Sequence, residues 1–229
     1  MIELKEISFK YNQALVLKNI NLTMNTDEII GIIGESGSGK TTLAHILLGL
    51  LQPKQGDIFT NDLTLLPIFQ HAYDSFNPKF NMEKSFKEPI NHFKFISPHK
   101  VQQRLKELMV YMQLDSKLLD RFPSELSGGQ LQRLNTIRTL MLEPDILVCD
   151  EITASLDVIA EQKMVAVLKD YHQRTNKGML IISHDIAFLN QLVERLIVMK
   201  NGEIVDDFSM EHLLSEQRHA YTKQLLSIY

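Results

Sequence analysis

A glycine-rich stretch between an apolar run and a helical pattern limits the fold more than any other feature of the chain. The stretch reads GESGSGKTT; it follows IIGII and precedes LAHILLGLL. Its spacing fits G-x-x-x-x-G-K-[ST], the P-loop, in which glycines let backbone N–H groups turn towards phosphate oxygens. The helix that follows points its positive end at the same phosphates. The residues predicted to bind a nucleotide here are Gly34, Glu35, Ser36, Gly37, Ser38, Gly39, Lys40, Thr41 and Thr42.

Two residues of the P-loop have specific expected roles. Lys40 is predicted to reach the β- and γ-phosphates, and the Thr41 hydroxyl to ligate Mg²⁺. The alternative interpretation is a glycine-rich turn that matches by chance, but a strand before it and a helix after it are the context that the motif requires. The motif alone does not separate GTPases, kinases, helicases and transporters.

A pair of acidic residues after a second apolar run supplies the other half of a nucleotide site. In DILVCDE, four apolar residues lead into Asp150 and Glu151. An acid at the end of a buried strand beside a P-loop can hold the Mg²⁺ shell, which is the role predicted for Asp150. Glu151 is then placed to orient or deprotonate the attacking water. The alternative is that both acids only cap the next turn.

Hydrophobic periodicity predicts strands that alternate with helices. Ile20, Leu22 and Met24 alternate with polar residues, whereas Ile29–Ile33 is apolar on both faces, as in a buried parallel strand. Alternation of this kind implies an α/β core. After the P-loop we expect a helix that ends at about Leu51, with Leu43, Ile46, Leu47 and Leu50 on one apolar stripe. A mainly helical subdomain is expected at about 85–143, with an amphipathic helix at 101–114. The further expected elements are strands at 145–149 and 179–183, a helix at 158–174, a hairpin at 196–207 that turns at Asn201-Gly202, and a C-terminal helix.

Composition excludes several classes of protein. The formal net charge of −4 and the pI of about 6.1 argue against sequence-independent nucleic-acid binding, which depends on neutralising many phosphates. The single cysteine, Cys149, cannot form an internal disulfide, a four-cysteine zinc site or an iron–sulfur cluster, and it is expected to be a buried hydrophobe in a cytosolic protein. No apolar run approaches the roughly 20 residues of a membrane helix, so work at a membrane would require a partner.

The stretch LSGGQ, residues 126–130, points to a family. Here the sequence resembles the ATP-binding subunits of ABC transporters, whose signature motif it matches; a helix cap at Ser127 is the simpler alternative. The resemblance covers essentially the whole chain. It implies one ATP-binding domain over residues 1–229: a P-loop NTPase core with a mainly parallel sheet, an N-terminal antiparallel β subdomain and the inserted helical subdomain.

Other positions match family motifs in order, and their roles follow from the resemblance. Tyr11 matches the aromatic residue that stacks on adenine, and Gln70 the glutamine that contacts Mg²⁺ or the attacking water. Asp157, in ASLD (154–157), matches the D-loop near the subunit boundary, and His184 the switch histidine that contacts the γ-phosphate. The resemblance also implies a head-to-tail dimer that encloses two ATP molecules. The signature residues expected to act on the partner's ATP are Ser127, Gly128, Gly129 and Gln130.

Two further stretches suggest a branch of the family. IFQHAYDSFNP (68–78) and RHAYTKQLL (218–226) are similar to the ATP-binding subunits of oligopeptide, dipeptide and nickel importers, although His71, Ala72 and Ala220 depart from the usual residues. Only 30 positions separate Lys40 from Gln70, and this short arm looks more like the nickel or metal-chelator importers.

The resemblance therefore predicts an import ATPase that binds ATP and Mg²⁺ at the cytoplasmic face of the membrane. Its expected partners are a second, non-identical ATP-binding subunit, two permease subunits and, indirectly, an extracellular solute-binding protein, with no nucleic acid. The alternative is a non-transport ABC ATPase that acts on DNA or ribosomes. A non-hydrolysing ATP binder would have lost Glu151, Gln70 or His184, and all three are present.

Overall fold

The computed structural model describes residues 1–93, 97–154 and 156–227, and these form two compact units. The first unit comprises Met1–Pro67, Asp145–Glu151 and Asn176–Tyr229, and the second comprises Ile68–Pro144 and Ile152–Thr175. In chain order, the strands and α-helices are β1 (Ile2–Tyr11), β2 (Ala14–Met24), β3 (Ile29–Ile33), α1 (Lys40–Leu47), β4 (Gln55–Phe59), β5 (Leu65–Ile68), α2 (Met82–His92), α3 (Pro98–Tyr111), α4 (Gly128–Leu140), β6 (Ile146–Asp150), α5 (Val158–Thr175), β7 (Gly178–Ile182), α6 (Ile186–Asn190), β8 (Arg195–Lys200), β9 (Glu203–Ser209) and α7 (Ala220–Leu226).

Two sheets build the first unit. Strands β2, β1 and β4 form an antiparallel sheet in that order, and Ile20, Leu22 and Met24 of β2 are buried while the residues between them are exposed, as predicted. The second sheet has the order β5-β6-β7-β3-β8-β9; β6, β7, β3 and β8 run parallel, and β9 is antiparallel to β8. Strands β3, β6 and β7 are buried along their whole length. The predicted fold class, a mainly parallel core with an N-terminal antiparallel sheet and helices, is confirmed.

The first helix is shorter than the sequence pattern suggests. Leu43, Ile46 and Leu47 are buried as expected, but α1 ends at Leu47, and Leu50 is 58% exposed. Gly49 causes the early end, because its φ of 71° is left-handed and its N–H donates to the Ile46 carbonyl. A glycine in this conformation is a common helix terminator. The predictions that the helix continues to about Leu51 and that Leu50 shares its apolar stripe are therefore wrong.

The second unit is mainly helical. Helix α3 begins and ends three residues before the predicted range of 101–114. Its predicted apolar face is confirmed, since Val101, Leu108 and Met109 are buried and Leu105 is half-buried, and Met112, directly after the helix, is buried as well. Helix α4 begins directly after Ser127, and α5 spans the segment predicted to be helical at 158–174. Within the ranges that the structure describes, no helix combines the length and the apolar composition needed to cross a bilayer.

The turn between β8 and β9 is also a contact point for other parts of the first unit. Asn201 and Gly202 form the predicted turn, and their φ values of 50° and 84° are those that a type I′ turn requires. The Gly202 N–H donates to the Ser38 carbonyl at 3.0 Å, and its carbonyl accepts from the Lys18 N–H at 2.9 Å. Gly202 thereby connects the hairpin to β2 and to the P-loop.

We expect Gly202→Ala to lower the free energy of unfolding by about 2–4 kcal/mol, because the new Cβ would lie 2.2 Å from the Val16 carbonyl oxygen at a left-handed φ. Gly49→Ala is the matched control: its φ is also left-handed, but its Cβ would meet open space, so a loss of about 1 kcal/mol is expected. Urea unfolding of both variants measures the difference. Equal losses would contradict the steric account of Gly202.

Candidate functional site

The P-loop connects β3 to α1 and lies tightly against β8. A Cβ on Gly34 would lie 2.2 Å from the Met199 carbonyl oxygen and 2.8 Å from Ser38 Oγ, so only glycine fits here. Gly39 is left-handed with a φ of 106° and precedes the first turn of α1. The structure thus places the predicted loop at a helix N-terminus, where backbone N–H groups can bind phosphate.

The Lys40 side chain folds back onto its own loop. Its Nζ donates to the Gly34 carbonyl at 2.7 Å and to the Glu35 carbonyl at 3.0 Å. Burial lowers the pKa of Lys40, whereas the carboxylates of Glu151 and Asp150 raise it. Because both acceptors are uncharged carbonyls, phosphate oxygens can replace them with stronger, charge-assisted bonds.

Asp150 and Thr41 meet where β6 ends beside α1. Asp150 is 7% exposed, and burial raises the pKa of its carboxyl group, although a hydrogen bond from the Thr41 hydroxyl opposes that shift. Asp150 Oδ1 is buried and has no hydrogen-bond partner in the described chain. A hydroxyl and a carboxylate with an unused oxygen suit the oxygen-ligand chemistry of Mg²⁺, so these residues fit the predicted metal. Neighbouring Cys149 is fully buried, as predicted.

Glu151 and His184 are brought together by the paired strands β6 and β7. The Glu151 N–H donates to the Ile182 carbonyl at 2.9 Å, and His184 Nδ1 lies 2.8 Å from Glu151 Oε2. Glu151 has a φ of 50°, and a left-handed conformation at a non-glycine residue is a cost that often marks a functional site. The pair can take a proton from a water molecule, with Glu151 accepting it and the 66% exposed His184 facing solvent.

Tyr11 lies at the end of β1 and is 47% exposed. Its edge-to-face contact with Phe9 holds the ring at a centroid distance of 4.8 Å. A fixed, exposed aromatic ring can stack on a nucleotide base. The first unit therefore contains Tyr11, the P-loop, Asp150, Glu151 and His184.

The remaining predicted site residues belong to the second unit. Ser127 caps α4 in a capping box: its Oγ accepts from the Gln130 N–H at 3.2 Å, and its own N–H donates to Gln130 Oε1 at 2.9 Å. A Cβ on Gly128 or Gly129 would meet nothing within 4 Å, so a phosphate group has room to approach this helix N-terminus.

Gln70 and Asp157 are also in the second unit, and both are exposed. Asp157 Oδ1 accepts from the Ala160 N–H at 2.8 Å at the start of α5. Ser155, in the ASLD stretch, lies outside the described residues.

Sequence reasoning missed one residue of the site. Tyr221, in α7, accepts a hydrogen bond from the Glu35 N–H of the P-loop at 3.2 Å. The stretch RHAYTKQLL, which resembles the tail of one family branch, was the available signal, but nothing in it indicates a contact across 186 positions.

Comparison with known proteins assigns the chain to a family. The family model described as ABC transporter matches residues 17–154, more than half of the chain. The "Nickel import system ATP-binding protein NikE" of Staphylococcus aureus strain MSSA476 is 46% identical over 231 residues, covering 100% of this chain and 99% of that protein.

Solved structures agree with this fold. The ATP-binding cassette MJ0796, in a dimeric post-hydrolysis state bound to ADP and Pi, has a TM-score of 0.80 at 28% identity, covering 92% of this chain and 99% of that one. A structure described as the ATP-binding subunit of an ABC transporter has a TM-score of 0.87 at 20% identity, covering 100% of this chain and 98% of that one. At this identity the likeness supports the fold alone. The chain belongs to the ABC transporter family and is one of its ATP-binding, ATP-hydrolysing proteins.

Proposed function

We propose that this chain is the ATPase subunit of an importer for nickel or a nickel–chelator complex. The ATPase part rests on the cluster of Lys40, Asp150, Glu151 and His184 within one compact unit. The choice of nickel rests on full-length similarity to the Staphylococcus aureus protein. The short arm between α1 and Gln70 supports the same branch.

In the proposed binding step, ATP phosphates enter the P-loop and accept hydrogen bonds from its N–H groups and from Lys40. The ammonium then exchanges the Gly34 and Glu35 carbonyls for phosphate oxygens. Thr41 and Asp150 would hold Mg²⁺ through the hydroxyl and the carboxylate oxygens. When bound, Mg²⁺ neutralises charge on the β- and γ-phosphates. Tyr11 stacks on the adenine.

In the proposed hydrolysis step, Glu151 accepts a proton from the water that attacks the γ-phosphate. His184 donates its Nδ1–H to Glu151 Oε2, and this bond fixes the direction of the carboxylate. His184 Nε2 is then available for the γ-phosphate. Water attack yields ADP and inorganic phosphate.

We further propose that two ATP-binding subunits enclose the nucleotides head to tail, with Asp157 near the subunit boundary. The open space beside Gly128 and Gly129 supports the approach of a partner's γ-phosphate to the Ser127–Gln130 turn. The similar MJ0796 cassette is described as a dimer bound to ADP and Pi, which supports the pairing of two such subunits. The second subunit is a non-identical homologue, and two permease subunits hold the pair at the cytoplasmic face of the membrane. An extracellular solute-binding protein delivers the cargo.

Whole-cell metal content tests the proposed cargo. In the native organism under metal limitation, we expect Lys40→Ala to lower the cellular nickel content selectively relative to the wild type, because nickel uptake stops when the subunit cannot bind ATP. Lys87→Ala, which removes an exposed lysine paired with Glu83 in the second unit, is the control and should leave nickel unchanged. An unchanged metal profile in Lys40→Ala would overturn nickel import, and uptake of labelled peptides would then identify the other substrate class of this branch.

A further inference from the structure

Helix α7 places a buried phenol directly on the P-loop. Tyr221 is 4% exposed, and its Oη accepts the Glu35 N–H at 3.2 Å. The Lys200 ammonium lies 4.3 Å from the centroid of the ring. Burial, together with the Glu35 carboxylate, raises the pKa of Tyr221, so the group stays a neutral phenol.

The hydrogen bond to Tyr221 also fixes the direction of the Gly34 carbonyl, because the peptide group between Gly34 and Glu35 is planar and trans. In such a peptide the N–H and the C=O point in opposite directions. With the N–H directed at Tyr221 Oη, the Gly34 carbonyl points the other way, and it accepts from Lys40 Nζ at 2.7 Å. Rotation of this one peptide group would break both hydrogen bonds.

We propose that Tyr221 is a positioning residue for phosphate binding, whose hydroxyl fixes the Gly34–Glu35 peptide and thereby the starting position of the Lys40 ammonium. The inference deepens the proposed function and rests on its nucleotide-binding part. A loop held in one conformation before binding loses less conformational entropy when the phosphates enter. Tyr221 thus favours nucleotide binding without touching the nucleotide.

The rest of α7 is anchored independently of the nucleotide site. The Asp206 carboxylate of β9 accepts from Thr222 Oγ1 at 2.9 Å, from the His219 N–H at 2.9 Å and from Arg218 at 3.3 Å. Its partner Arg218 is only 13% exposed, and so this is an internal ion pair rather than a surface contact. These bonds hold α7 against the sheet, which gives the Tyr221 hydroxyl a fixed position.

The test is the affinity of Tyr221→Phe for ADP, measured by calorimetry on the whole chain; ADP binds without being hydrolysed. The variant keeps the ring over Lys200 and removes only the hydroxyl. We expect the dissociation constant to rise about three- to tenfold, the range that one lost hydrogen bond gives. In the assembled transporter, the KM for ATP should rise by a similar factor while kcat stays within twofold.

Tyr171→Phe is the matched control. Tyr171 is also buried, and its hydroxyl donates to the Pro144 carbonyl at 2.9 Å within the second unit, so its removal should lower thermal stability and leave ADP affinity within twofold of the wild type. If Tyr221→Phe binds ADP as tightly as the wild type, the positioning role is overturned while the nucleotide site stands. If the wild type itself binds no ADP, the nucleotide-binding part of the proposed function fails, and this inference fails with it.

Discussion

Replacing Glu151 with glutamine is expected to slow ATP hydrolysis about 10²–10⁴-fold, the typical contribution of a general base, and to leave ATP binding intact. Glutamine keeps the shape of the side chain, and its amide oxygen can still accept the bond from His184 Nδ1. It cannot take a proton from water. It also removes one negative charge beside Asp150, so the closed, ATP-bound dimer should accumulate. The rate of ATP hydrolysis in the assembled transporter measures the first effect. The elution volume of the protein from a size-exclusion column in the presence of ATP measures the second.

The matched control for this prediction is Glu143→Gln. Glu143 also has a left-handed φ, of 48°, and it pairs with Arg104 in the second unit. The same chemical change there should leave turnover within twofold of the wild-type rate. A Glu151→Gln complex that hydrolyses ATP as fast as the wild type would remove Glu151 from its proposed role.

Replacing Lys40 with alanine is expected to weaken ATP binding about 10²–10⁴-fold, because two hydrogen bonds to charged phosphate oxygens are lost at roughly 1.5–3 kcal/mol each. The loss of the Lys40 charge also removes its attraction to Asp150 and Glu151, whose carboxylates then repel the phosphates. Calorimetry with ATP measures the loss. Lys87→Ala, which changes the net charge equally on an exposed face of the second unit, should bind ATP like the wild type; unchanged affinity in Lys40→Ala would contradict the P-loop assignment.

The sequence predicted those parts of the fold whose conformation depends on residues close to one another along the chain. The alternation in β2, the apolar run of β3 and the Asn201-Gly202 turn each encode their own conformation. The early end of α1 was missed because the apolar stripe continues to Leu50, although Gly49 had already ended the helix.

In the candidate site, sequence motifs predicted which residues lie near the P-loop but not how they are oriented. The left-handed backbone of Glu151 depends on its bond to Ile182 of the neighbouring strand, and the contact of Tyr221 with Glu35 depends on the anchoring of α7 by Asp206. Both features result from tertiary packing between segments that are distant in the sequence, so no local sequence pattern predicts them. The roles of Gln70, Asp157 and the Ser127–Gln130 turn stay predictions.

The position of Gly202 has a practical consequence for protein engineering. Hairpin turns are ordinarily chosen for inserting tags or fluorophores, because loop tips tolerate added residues. Here the Gly202 N–H and carbonyl are bonded to Ser38 and Lys18, so an insertion would displace the P-loop together with β2. The turn at Asn61 and Asp62 is exposed. It is the better attachment point for a reporter on this subunit.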